Sequence, residues 1–249
     1  MYVILAIILA VVSLILLART LHILYRIHHG LARTLHILYR IHHGTTGPLV
    51  VPGHTVKTLM VLGSGGHTGE LLQLMKALDL SIYTPRIYLT AASDTLSISR
   101  LRLSEQGVET QTKRENSHSS DTNNQTQTSA GQYSIEVVPR AREVGQGWTS
   151  TCFTTLWSLI FSAISVTRHR PNLILTNGPG TCVPVCLVAL GLRILGICRN
   201  RVVFVESLCR VKTLSLSGRI LYHLADDIIV QWPGLSKTYP RCRYLGRLI

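Results

Sequence analysis

The sequence predicts an α/β fold in which one doubly wound parallel sheet follows an N-terminal transmembrane helix. Three observations predict it. A charge-free apolar run opens the chain. A second apolar run, VKTLMVLG from Val56, breaks into the glycine-rich loop GSGGHTG and then into a segment of helical spacing. That is the strand–loop–helix unit that opens a Rossmann-like domain. Short apolar runs then alternate with helix-length segments to the C-terminus, a pattern that calls for parallel strands covered on both faces.

The first element is the anchor, residues 1–18. Tyr2 to Ala18 carry no charge and one polar residue, Ser13. As a helix they span about 25 Å, enough for a thin bilayer such as that of the endoplasmic reticulum. A cleaved leader places its positive charge before the apolar run. Here Arg19, Arg26, Arg33 and Arg40 follow it, which predicts an uncleaved single-pass anchor with the rest of the chain on the cytosolic side.

Residues 19–55 form the linker, and LARTLHILYRIHHG occurs twice in tandem from the end of the anchor into it, at Leu17–Gly30 and Leu31–Gly44. Arg and His recur at spacings of three and four on one side, with Leu21, Leu24, Leu31, Leu35 and Leu38 on the other. This is an amphipathic helix suited to a lipid headgroup layer. The paired histidines have no Cys or carboxylate beside them, so they read as surface residues near lipid.

The soluble domain is expected over residues 56–249. Strands are expected at the run from Val56, at Arg86–Ala92, Ser134–Val138, Asn172–Thr176, Val202–Glu206 and Asp227–Gln231. Helices are expected at Glu70–Leu80, Thr149–Thr167, from the turn NGPGT to Leu195, and at Leu214–Ala225. Cys152–Val166 is apolar but short and lies between strands, so it reads as a buried or membrane-grazing helix. Residues 104–132 are rich in Ser, Thr, Asn and Gln without periodicity and read as a disordered insertion.

Composition narrows the partners. The chain has 25 Lys and Arg against 12 Asp and Glu, so it should seek anions such as lipid headgroups or phosphorylated substrates. Aromatic residues make up only 6% and do not interleave with basic ones, which argues against nucleic acid. The six cysteines form no CxxC pair and read as buried, reduced thiols with no metal role.

The sharpest local motif is Gly63-Ser64-Gly65-Gly66-His67-Thr68-Gly69. Glycines after a strand let backbone N–H groups approach a diphosphate, and the following helix N-terminus favours negative charge. The alternative is a tight turn with no ligand. It lacks the Lys of a phosphate-binding P-loop, and Thr68 stands where a dinucleotide fingerprint needs its third glycine. His67 is placed to take a proton from a sugar hydroxyl. Asn177, Gly178 and Gly180 follow a strand at the edge where open α/β sheets bind ligands; the alternative is a strand–helix turn with Thr181 as its cap. Glu206 ends another strand at that edge, either as an acceptor for a sugar hydroxyl or as a partner of a helix N-terminus. Asp226-Asp227 lacks the spacing of a DxD metal pair.

The segments VLGSGGHTGEL, TNGPGTCVPVC, VFVESLCRVKTLSLSGRILYHLAD and VQWPGLSKTYPRCRYLGRL together resemble one family over most of residues 56–249. It is the membrane-anchoring, acceptor-side subunit of the dolichol-linked UDP-N-acetylglucosamine transferase of asparagine-linked glycosylation. The bacterial lipid-linked N-acetylglucosamine transferase of peptidoglycan synthesis is a more distant likeness. The resemblance implies the N-terminal half of a GT-B glycosyltransferase, with the other half on a soluble, donor-binding partner subunit. The implied reaction adds the second N-acetylglucosamine to dolichol-diphosphate-N-acetylglucosamine, with UDP-N-acetylglucosamine as a substrate held by the partner and no cofactor.

In this reading His67 is the candidate base and Glu206 a weaker catalytic candidate. Gly63, Ser64, Gly65, Gly66, Thr68, Asn177, Gly178 and Gly180 approach the acceptor diphosphate, and Tyr244, Leu245, Gly246, Leu248 and Ile249 contact the partner. The neighbouring transferases of the pathway are further implied partners. The implied location is the endoplasmic reticulum membrane, with the contiguous nuclear envelope. Two features depart from the family: the tandem duplication lengthens the linker, and the polar stretch 104–132 is unusual in content. A purely non-catalytic scaffold for a self-sufficient enzyme is the alternative function. An anchored oxidoreductase would need an intact GxGxxG, which the loop lacks.

Overall fold

The structure, a computed structural model, describes scattered residues between 18 and 39 and residues 54–92, 94–118, 133–139, 148–178 and 180–248. The chain divides into two compact units, Met1–Tyr39 and Arg40–Ile249. In the first unit the described residues of the duplicated segment are helical, and Leu21, Tyr25, Leu31, Leu35 and Tyr39 are exposed. Residues 1–17, which carry the expected anchor, and residues 40–53 of the linker lie outside the described residues. Among the described residues no helix is long and apolar enough to cross a membrane.

The second unit alternates strand and helix throughout: β1 (Thr58–Val61), α1 (Gly66–Lys76), β2 (Arg86–Ala91), α2 (Thr95–His118), β3 (Tyr133–Val138), α3 (Trp148–His169), β4 (Leu173–Asn177), α4 (Cys182–Ile194), β5 (Arg201–Val205), α5 (Leu216–Leu221), β6 (Asp227–Val230), α6 (Pro233–Thr238) and β7 (Cys242–Tyr244). The strands form one seven-stranded sheet in the order β3-β2-β1-β4-β5-β6-β7, and every pairing is parallel. This is the expected α/β, Rossmann-like domain.

Successive residues of a strand point to opposite faces, so β1 feeds two cores. Leu59 and Val61 pack with α3, α4 and α5 through Val166, Val185, Cys186 and Leu221. Met60 and Leu62 pack with α1 and α2 through Leu71, Met75 and Leu101. Both faces being covered explains why the strands read as continuous apolar runs. Cys182, Cys186, Cys198 and Cys242 are buried free thiols, whereas Cys209 is exposed. Burial pushes the Cys186 thiol up to about 12, so it stays protonated and inert.

Asp226 and Asp227 hold the far side of the sheet together. Asp226 accepts from both the Arg193 guanidinium, 2.7 Å away, and the Val202 N–H at 2.8 Å. Asp227 accepts from Arg201 at 2.8 Å and Arg243 at 3.2 Å, which ties β5, β6 and β7 across their starts.

Four expectations need correction. Helix α1 begins at Gly66 and not at Glu70, so His67 and Thr68 lie in its first turn and not in the loop. The helix expected over Leu214–Ala225 is confined to Leu216–Leu221, capped by the Ser215 hydroxyl accepting from the Gly218 N–H. The chain also continues past β6 into α6 and β7.

The fourth correction concerns the polar stretch. Helix α2 runs to His118, so residues 104–118 are helical, while residues 119–132 lie outside the described residues. Its start is capped by Asp94, whose Oδ1 accepts the Ser97 N–H at 3.1 Å. Its buried stripe is Ser97, Leu101 and Glu105, while Leu96 and Leu103 are 71% and 69% exposed. Glu105 takes a two-pronged contact from Arg86 on β2, with Nε to Oε1 at 3.1 Å and Nη2 to Oε2 at 2.7 Å. The Tyr88 hydroxyl also donates to Glu105 Oε1. Both charges of the Arg86–Glu105 pair are fully buried, and such a pair is satisfied only because its geometry is bidentate.

Replacing Glu105 by Ala would leave the Arg86 guanidinium buried without its counter-charge. We expect a loss of about 3–5 kcal/mol in denaturant unfolding of the full chain in detergent, followed by tryptophan fluorescence. An unchanged midpoint would show that the pair does not anchor α2.

Candidate functional site

The strand order reverses between β1 and β4, with β2 and β3 on one side and β5, β6 and β7 on the other. Connections leave the two strands in opposite directions, so a crevice opens beyond their carboxyl ends. The glycine loop after β1 and the turn after β4 both face it.

Gly65 is the N-cap of α1, at φ 64°, and makes no side-chain cap hydrogen bond. A non-glycine residue would be strained there. Gly65 and Gly66 are exposed and Ser64 is partly buried, so an eleven-residue helix starts at the surface on a residue with no side chain of its own to cap it. Arg100 of α2 reaches the Gly65 carbonyl at 3.3 Å.

Gly63 and Thr68 support this loop from beneath. Thr68 is buried; its hydroxyl donates to the Gly63 carbonyl and lies 2.6 Å from the Ser97 hydroxyl. Ser97 also donates to Gly63 O at 3.1 Å. Thr68 is therefore turned inward and engaged, and does not face a ligand as the sequence suggested.

His67 is 35% exposed and sits over the turn after β4. Its Nδ1 lies 3.1 Å from Asn177 Oδ1 and 3.7 Å from Glu70 Oε2. Asn177 is fully buried and donates from Nδ2 to Glu70 Oε2 at 3.0 Å. The other oxygen of Glu70 accepts the Ser207 hydroxyl at 2.8 Å and the Leu208 N–H at 3.3 Å. Gly178 lies under the imidazole at φ 87°, where a Cβ would stand 2.3 Å from Nδ1. Its role is to admit the ring, and as a buried residue it offers no surface to an anion. Gly180 is exposed with open space around it.

The electrostatics follow from these contacts. The Glu70 carboxylate lifts the His67 imidazole above its usual range against the opposing effect of burial, helped by Asn177 and by the charge of Glu206. Burial works to raise Glu70, but hydrogen bonds from His67, Ser207 and Asn177 prevail and hold it below the usual carboxylate range.

Glu206 is fully buried. It accepts the Ser207 N–H at 3.1 Å, the Ser215 N–H at 2.9 Å and the Ser215 hydroxyl at 3.1 Å. Burial pushes its carboxyl up despite these donors. Of the two readings of Glu206, the structure supports the partner of a helix N-terminus, here α5, and it places no open carboxylate oxygen toward a sugar.

The expected partner-contact segment divides. Tyr244, on the edge strand β7, and Leu245 are exposed, and Gly246 takes φ 93°. Leu248 folds back on its own domain, its N–H donating to Gln231 at 3.0 Å. Ile249 lies outside the described residues.

Sequence reasoning missed Glu70, Ser207 and Ser97. Glu70 had a readable signal, since positions i and i+3 share a helix face and it stands three after His67. Ser207 had none, because its partner Glu70 is 137 positions away, and the contacts of Ser97 to Thr68 and Gly63 likewise join residues 29 and 34 positions apart.

Gly178→Ala should cost about 1–3 kcal/mol through its positive φ alone, with displacement of His67 added. Gly180→Ala should stay within about 0.5 kcal/mol. Equal unfolding midpoints for the two variants would refute the close packing of Gly178 on the imidazole.

Comparison with known proteins agrees with this architecture. The profile of the family described as oligosaccharide biosynthesis protein Alg14 like matches residues 58–248. A mouse protein (Mus musculus) named UDP-N-acetylglucosamine transferase subunit ALG14 is 46% identical over 200 residues, which cover 80% of this chain and 86% of the relative. A Schizosaccharomyces pombe protein of the same name is 42% identical over 193 residues, covering 76% of this chain and 81% of the relative. Among solved structures, a putative UDP-N-acetylglucosamine 2-epimerase from Listeria monocytogenes superposes with a TM-score of 0.50 at 11% identity. That match covers 75% of this chain, which spans only 42% of the length of that structure, and it bears on the fold alone. The family profile spans the sheet and its crevice, and relatives over 40% identical cover most of the chain: the chain belongs to the Alg14-like family of oligosaccharide biosynthesis proteins.

Proposed function

We propose that this chain is the membrane-anchored, acceptor-side subunit of a two-chain transferase that moves N-acetylglucosamine from UDP to dolichol-diphosphate-N-acetylglucosamine on the cytosolic face of the endoplasmic reticulum. The observation that carries the proposal is the exposed glycine helix start at Gly65 and Gly66 beside the partly exposed His67, in a chain whose relatives are named as subunits of a UDP-N-acetylglucosamine transferase. The glycine helix start suits the acceptor diphosphate. His67 then takes the proton of the acceptor hydroxyl as its oxygen attacks the sugar C1, and the C1–O bond to UDP breaks with its electron pair leaving on UDP.

A single doubly wound unit offers one wall of a cleft. The donor is accordingly assigned to a soluble second subunit, which completes a GT-B pair and docks near Tyr244 and Leu245. Membrane engagement is assigned to residues 1–18 and to the exposed side of α3. That helix turns Ser158, Ser162 and Ser165 inward and leaves Phe153 and Trp157 at 76% and 56% exposure, in line with Leu156, Ile160 and Ile164. Such a stripe suits an acyl layer better than water.

Transfer of radiolabelled N-acetylglucosamine to a polyprenyl-diphosphate-N-acetylglucosamine tests the reading, using this chain, the soluble subunit, and both together. We expect product only with both. His67→Ala should lower the rate about 100-fold or more with membrane fractionation and subunit association unchanged. Product from the soluble subunit alone would reduce this chain to a scaffold, and full activity of His67→Ala would remove the base assignment.

A further inference from the structure

We propose that Glu70 is a positioning residue that acts through the Asn177 carboxamide to hold His67 in the tautomer protonated on Nδ1, leaving the lone pair on Nε2 for the acceptor. This rests on the reading of His67 as the base.

The assignment follows from which groups can donate. An ionised carboxylate only accepts, so the Asn177 atom 3.0 Å from Glu70 Oε2 must be the amide nitrogen. That fixes the otherwise ambiguous flip of the carboxamide and turns its oxygen to His67. A carbonyl oxygen also only accepts, so the ring nitrogen 3.1 Å from Asn177 Oδ1 must carry a proton. In the neutral imidazole one nitrogen donates and the other accepts; Nε2 is thereby the acceptor. No described residue hydrogen-bonds Nε2, and the ring atoms nearest Gly178 are Nδ1, Cγ and Cε1, so Nε2 lies away from the turn.

Glu70 is itself held. The Ser207 hydroxyl and the Leu208 N–H occupy Oε1 at 2.8 and 3.3 Å, and the Leu208 carbonyl is pinned by Trp232 Nε1 at 2.7 Å. With both oxygens engaged, the carboxylate cannot rotate to release the amide without breaking contacts to the segment after β5. The relay thus joins α1, the end of β4 and the segment after β5 at one imidazole. Its chemistry is that of a carboxylate that orients a base without taking the proton, with an amide interposed.

The relay also sets a pH signature. The charged groups that act on His67 are Glu70 on its own helix and Glu206 just after β5; Arg210 acts on Glu206, and Arg100 of α2 sits on the Gly65 carbonyl. The acidic group nearest the ring is Glu70. A base must be neutral, so activity falls as pH drops through the raised value of His67. Removing the Glu70 charge lowers that value, so the acidic limb must move to lower pH, while Glu206 remains and keeps the move partial.

Two measurements on the full chain assembled with its soluble subunit test this. Nitrogen-15 NMR of histidine-labelled protein, with the His67 signals assigned by difference against His67→Ala, should show Nδ1 protonated and Nε2 bare at alkaline pH. The variant Glu70→Gln should show mixed tautomers. Its kcat should fall at least about tenfold, since a misdirected tautomer costs up to about four orders of magnitude in a related relay. Its acceptor KM should stay within about twofold, and its acidic limb should lie at lower pH. An Nε2-protonated ring in the unaltered chain overturns the proposal without reference to any variant. So does an assembled Glu70→Gln protein with an unmoved acidic limb. Failure of the base reading is separate: it appears as full activity of His67→Ala, whatever tautomer the spectra show.

Discussion

A parallel sheet whose strand order reverses between β1 and β4 cannot close over the ends of those two strands. The chain leaves them in opposite directions, and backbone and side-chain polar groups at the crevice floor lose both ladder partners and water. Asn177 is the sharpest case, a fully buried carboxamide at the last residue of β4. Burying such a group without partners costs several kcal/mol. Glu70 supplies one partner and His67 the other, so the requirement to satisfy a buried amide is what aims the imidazole. Structural necessity and the chemistry proposed for the site are met by the same contacts.

Polar groups organise the interior elsewhere as well. Helix α2 buries Ser97 and Glu105 around Leu101, and α3 buries Ser158, Ser162 and Ser165 beside Val166. In both, large apolar residues face outward. For α2 the inward stripe is explained by Arg86, which enters the interior at the start of β2 and must meet a carboxylate. For α3, Ser165 donates to Glu136 and His169 lies 2.7 Å from the same carboxylate. Burial and the donors Ser165 and His169 pull Glu136 in opposite senses, and the donors prevail. These helices are specified by what the sheet presents to them, and their outer faces carry exposed apolar residues.

The strands were legible because each is short, apolar and bounded by Gly, Pro or Asn, and both faces of the sheet are covered. β1, β2 and β4 were found within one or two residues. Helix α1 was legible in type, but its start was misplaced, since a run of glycines reads as loop even where Gly66 already has helical backbone. The first half of the 104–132 stretch read as disorder because a helix that buries Ser97, Leu101 and Glu105 shows no apolar period. No pattern of hydrophobicity reports a carboxylate that is buried opposite an arginine nineteen positions away.

The site was half legible. The glycine loop, His67 and the turn at Asn177 stand out by composition, and the reversal of strand order that brings them together follows from the expected fold class. The sequence by itself determined the α/β alternation, the glycine-rich helix start and the family, because these are carried by local composition and by contiguous motifs. Only the tertiary structure decided the directions of the side chains. Thr68 turns inward to Gly63, Glu206 is spent on the start of α5, and Glu70 reaches across to residues 107 and 137 positions away. The physical reason is that a hydrogen bond is a relation between two groups in space, and a buried polar group takes whichever partner the packing of the whole sheet brings within 3 Å.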